Sequence, residues 1–267
     1  MLRPSSLFWW LAVTAVLIAA PQVQAGVIAI TTSVQAKVED DKLYIIIQVE
    51  NTGDEGGYNL QAKVLTLGRE VETRKVSDFL PGKPSRFSIN MPVTDVAPGT
   101  YPVIVRVFCT DANQYPFSAL ASHVFTKGAE GAPVEVIASM KPLSLADAGN
   151  LKLDLKNMSE DGITASIRVY SPRELTLAED WTKLMLPGRS EKNLEYGIKN
   201  FSARPTSSYP VLATVEYDDD GVHQTTVAMG MVTIVEPRKI FGLNYYVIGG
   251  GLALLIVVFI AVERFRK

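Results

Sequence analysis

The sequence predicts an all-β chain: two tandem antiparallel β-sandwiches followed by one C-terminal transmembrane helix. Three observations carry this expectation. Apolar and polar residues alternate with period two in several short runs, as in strands with one buried face. Three sequence landmarks recur about one domain-length apart. One charge-free apolar run, from Ile240 to Val262, ends in a basic terminus.

The strands follow in order. The apolar run Leu43 to Val49 is closed by Glu50 and Asn51. Val103, Val105 and Val107 alternate with their neighbours, as do Val211, Ala213 and Val215. Leu151, Leu153 and Leu155 alternate with Lys152, Asp154 and Lys156, which puts leucines on one face and charges on the other. Turn signals separate the runs: Asp40-Asp41, the stretch Thr52 to Gly57, Pro81-Gly82 and Pro98-Gly99.

The landmarks are Asn51 and Asn157, Leu80-Pro81-Gly82 and Leu186-Pro187-Gly188, and Tyr101-Pro102-Val103 and Tyr209-Pro210-Val211. Each pair lies about 106 to 108 residues apart. Such a spacing means a duplicated domain and not a solenoid of short repeats. The expected organisation is a signal peptide over 1–25, sandwich one over 26–128, sandwich two over 133–237, a membrane helix over 240–262 and a cytoplasmic tail over 263–267. The signal peptide rests on Arg3, an apolar core from Leu7 to Ala20 and a small-residue site at Val23 and Ala25. The membrane helix rests on the length of the 240–262 run, with Tyr245 and Tyr246 as interfacial aromatics. Together they imply a single-pass protein with its ectodomain outside the cytoplasm, in the periplasm or at the cell surface.

Composition narrows the function. The chain has 267 residues, a formal net charge of −2, two histidines and one cysteine. This excludes a mostly disordered chain, a disulfide framework and a Cys-rich zinc site. It lacks the basic field that nucleic-acid binding needs. No Gly-x-Ser-x-Gly, His-Glu-x-x-His, P-loop or dinucleotide fingerprint occurs, so no catalytic residue and no cofactor is assigned. The acidic cluster Asp218-Asp219-Asp220-Gly221 offers Asp218 and Asp220 as calcium candidates, against a hairpin turn as the simpler reading. Cys109 reads as buried and inert, and His123 and His223 as structural. Asn157-Met158-Ser159 and Asn200-Phe201-Ser202 match the glycosylation sequon.

Tyr101 and Tyr209 each precede a Val-rich strand late in a unit. They read as structural residues of the tyrosine-corner kind found in immunoglobulin-like sandwiches. The order of Asn51-Thr52-Gly53, Leu80-Pro81-Gly82 and Gly99-Thr100-Tyr101-Pro102-Val103 resembles the immunoglobulin-like, cell-adhesion-related (CARDB-type) modules of bacteria and archaea. Residues 27–127 carry the resemblance best. Residues 134–236 carry it loosely, with Asn157-Met158-Ser159 and Ser207-Ser208 in place of the family residues. The resemblance implies a fold and no activity. The function expected from it is a non-catalytic, membrane-anchored interaction protein, an accessory or scaffold component of an envelope complex. Its partners are then the membrane and another envelope or membrane protein. A glycan-binding or adhesive protein using Trp181, Phe79 and Phe117 is the alternative, and a hydrolase using Asp218 and Asp220 the remote one.

Overall fold

The computed structural model describes residues 26–128, 133–236, 239–240, 243–244 and 249–256. The first unit contains β1 (Ile30–Glu39), β2 (Lys42–Asn51), β3 (Gly57–Thr66), β4 (Arg69–Glu72), β5 (Val76–Phe79), β6 (Ser85–Pro92), β7 (Gly99–Thr110) and β8 (Pro116–Lys127). The second contains β9 (Val136–Met140), β10 (Leu143–Leu145), β11 (Ala148–Asn157), β12 (Ile163–Tyr170), β13 (Leu175–Leu177), β14 (Trp181–Leu186), β15 (Glu191–Asn200), β16 (Ser208–Asp219) and β17 (Val222–Ile234). In each unit a small sheet faces a larger one. The small sheets run β1-β2-β6 and β13-β15-β11-β9. Leu43, Ile45, Ile47 and Val49 of β2 face Val103, Val105 and Val107 of β7 across the first core. Leu151, Leu153 and Leu155 of β11 face Val211, Ala213 and Val215 of β16 across the second.

The repeated asparagines explain why their motif recurs. Asn51 and Asn157 are fully buried. The Asn51 amide donates to the carbonyls of Glu55 and Phe79, and its oxygen accepts from the Gly53 and Ala29 amides. The Asn157 amide donates to Asp161, Leu186 and Pro187, and its oxygen accepts from Ser159. Each asparagine thus pins the loop after its own strand to the start of Leu-Pro-Gly or the residue just before it. Both sequons lose their acceptors to structure, since the Asn200 amide also donates inward, to Ala146 and Ala203.

The two units also join. The larger sheets join into one path, β14-β12-β16-β17-β7-β3-β4, through a parallel bridge between His223 and Gly99. A third, smaller core lies between the units, with Ile104, Leu120 and Leu65 from the first and Tyr170, Leu212 and Val227 from the second. Strands β7 and β16 are therefore buried on both faces over Tyr101 to Val105 and Val211 to Val215. Continuous runs of this kind mark strands covered on both sides.

The expected membrane helix is also corrected. Lys239–Ile240 and Leu243–Asn244 form β18 and β19, a short antiparallel pair, so the apolar run opens in extended backbone. Residues 249–256 are helical. Among the described residues no helix is long and apolar enough to cross a membrane. The single-pass topology, the membrane as a partner and the envelope-anchored role built on them are set aside with it. The signal peptide over 1–25 and the tail over 263–267 lie outside the described residues, as do 129–132 between the units.

Candidate functional site

A groove of about 860 Å³ opens where the units meet. Its floor is the outward face of β14, β12 and β16. Trp181, Arg168 and Thr214 form one cross-strand row, and Lys183, Ser166 and Glu216 the next. Its wall is the β3–β4 turn of the first unit, which brings Arg69 and Glu70. That turn folds through Leu67 and Gly68, both in the left-handed region at φ 50° and 67°, where glycine is at ease and leucine is strained. Strand β14 ends the sheet and pairs only with β12 among the described residues. It exposes Trp181 at 51% and Met185 at 68%. Edge strands are usually blunted by charge; here Lys183 alone does so, between two exposed apolar residues.

His223 closes one end of the groove. Its Nε2 lies 3.3 Å from Glu216 Oε2 and its Nδ1 2.9 Å from Asp218 Oδ1. Its ring stacks on Tyr101 with centroids 4.5 Å apart, and its backbone N–H donates to Pro98. The Glu216 hydrogen bond is the main cause that raises the His223 pKa; burial opposes it and Asp218 adds to it. When protonated, the imidazolium can donate to both carboxylates.

A pH dependence follows. The folded pKa lies above 6.5, so the His223 contribution to stability is complete below about pH 6.5 and is lost as pH rises through the folded value. Urea unfolding should therefore show stability falling across the pH range just above 6.5. The His223→Gln variant should flatten that slope; an unchanged slope would refute the assignment.

The acidic cluster is a turn. Asp220 and Gly221 take φ of 46° and 78° between β16 and β17, the two-residue hairpin geometry that Asp-Gly favours. Asp40 and Asp41 do the same between β1 and β2, at 47° and 54°. Asp218 is engaged by His223 instead. Among the described residues no three His, Cys, Asp or Glu side chains group so as to hold a metal ion. The buried Asp111 caps its own loop, accepting from the Asn113 and Tyr115 amides.

The Tyr101 hydroxyl donates to the Ala97 carbonyl at 2.9 Å. Burial pushes the Tyr209 phenol up, against hydrogen bonds with the Arg204 backbone and Ser207. Trp181, Phe79 and Phe117 do not converge: Phe79 is fully buried in the first core, and Phe117 packs beside Tyr115. Cys109 is buried, its thiol pushed up to about 12 mainly by desolvation.

The far end of the seam is locked too. Ser118 donates its amide and hydroxyl to the buried Glu174 carboxylate at 2.7 and 2.5 Å, and Tyr115 donates to the Ser202 carbonyl. Arg204 lies over the Tyr115 ring at 4.7 Å. None of these partners carries a one-dimensional signal.

No protein-family model matches the chain, and no curated protein matches it. The resemblance to cell-adhesion-related modules in a membrane-anchored protein is thus corrected: no family match carries it, and no described helix supplies the anchor. Among solved structures the chain is similar to E. coli alpha-2-macroglobulin in its native conformation, at 12% identity over 78% of this chain and 17% of that one, with a TM-score of 0.33. It is similar to a Salmonella alpha-2-macroglobulin mutant, at 12% identity over 78% and 16%, with a TM-score of 0.31. Red sea bream transglutaminase gives 10% identity over 81% and 32%, with a TM-score of 0.28. The chain spans less than a third of each of these structures, and superpositions this loose carry no argument.

Proposed function

We propose that the chain is a non-catalytic binding protein whose groove accepts an extended polypeptide segment alongside β14. The observation that carries this is the open edge of β14 with Trp181, Lys183 and Met185 alternating on its groove face. An added strand satisfies free edge hydrogen bonds, and alternate side chains supply selectivity. Trp181 and Met185 suit apolar positions of the guest; Arg168, Lys183 and Glu216 suit polar ones.

The test is selection of displayed random ten-residue peptides on the purified full chain. Recovered peptides should alternate apolar and polar residues. Trp181→Ala and Met185→Lys should each weaken them about tenfold, roughly the 1.4 kcal/mol that one lost apolar contact is worth. Binding indifferent to both substitutions, or cleavage of the peptides, would overturn the reading.

A further inference from the structure

Along the outward face of β7, Pro102 lines the groove and Ile104 sits in the small core. Arg106 and Phe108 come next, and they line a second, separate notch of about 380 Å³. Its other walls are Ser171, Pro172, Arg173 and Leu175, from the segment between β12 and β13 and the start of β13. This notch is lined by two arginines and by no acidic residue.

Arg106 is anomalous by the ordinary rules of burial. Its Nε is sealed from solvent and has no hydrogen-bond partner. Burial is the main influence on the group and lowers its pKa; Glu70, Tyr170 and Asp180 oppose that through space. None of the three forms a hydrogen bond or ion pair with it, and Glu70 is already held by Lys63 at 2.6 Å. The neighbouring Glu174 carboxylate, which feels the charge of Arg173, is taken by Ser118. A sealed donor without a partner is costly to a fold, and a guanidinium presents a planar fork of donors that matches a carboxylate.

We propose that the notch is a carboxylate-binding site for a small molecule with an apolar body. Arg106 and Arg173 take the carboxylate, and Phe108, Pro172 and Leu175 cover the body. The site is independent of the polypeptide groove, lying beyond Ile104 from it, and stands or falls without it.

Calorimetric titration of the full chain at constant ionic strength tests this, with benzoate, acetate and inorganic phosphate as the probes. Benzoate should bind saturably and at least tenfold more tightly than acetate or phosphate. Arg106→Met should abolish that binding. Arg173→Ala, at an exposed position, should weaken it at least fivefold without shifting the melting temperature, so the site can be judged even if Arg106→Met does not fold. No benzoate binding, binding unchanged in Arg173→Ala, or phosphate bound more tightly than benzoate would overturn the proposal.

Discussion

Asn157→Ala should destabilise the protein by roughly 3 kcal/mol, because it strips buried acceptors of their donor. The carbonyls of Asp161, Leu186 and Pro187 all face that one amide, and the asparagine is fully buried. Asn157→Asp keeps the size but sets a carboxylate against carbonyl oxygens, so it should be at least as harmful at pH 7 and partly relieved near pH 4, where the acid can donate. Urea unfolding at both pH values measures this. An alanine variant within 0.5 kcal/mol of wild type would mean that the clamp is dispensable. Asn51→Ala should behave alike in the first unit, whose amide serves Glu55 and Phe79.

Leu212→Asp should separate the units. Leu212 is fully buried in the small core beside Ile104. Losing a buried leucine costs roughly 3 kcal/mol even before a carboxylate is placed among apolar groups, which is about a hundredfold in association. A protease site inserted at 129–132 exposes the effect. After cleavage, the wild-type halves should co-elute in gel filtration, held by the Thr100–Thr225 and Ser118–Glu174 hydrogen bonds as well as the small core. The Leu212→Asp halves should elute apart. Wild-type halves that part on cleavage would show that the seam is weaker than its burial implies.

The strands were legible because each core needs one apolar face. Leu151, Leu153 and Leu155 could alternate with charges only if their strand had a wet side. The landmarks were legible as a repeat, but their purpose was not, since the clamp depends on carbonyls that alternation does not encode. The seam was missed because Ile104 and Leu212 sit between valines and alanines already assigned to the inner face. Their own outward burial shows only when two sheets are brought together. The groove was missed for the same reason: Trp181, Glu216 and Arg69 are far apart in the chain. The 240–262 run was judged on its length, hydropathy, flanking tyrosines and basic end, all of which are blind to the extended pairing of Ile240 and Leu243.

The small core has one more property. Its residues come in matched pairs from corresponding strands: Ile104 with Leu212 on β7 and β16, Leu120 with Val227 on β8 and β17, and Leu65 with Tyr170 on β3 and β12. Strand β7 lies against β17 and, reciprocally, β16 against β8. This is the self-complementary pattern of a two-fold homodimer, here folded into one polypeptide. In a true dimer both ends of such an interface are identical, and any site at one end is present twice. Fusion releases that constraint. One end has become Tyr101 stacked on His223, the other Arg204 over Tyr115 and Phe117. A pseudosymmetric chain of this kind can keep a single groove for a single guest, with no second copy to compete for it.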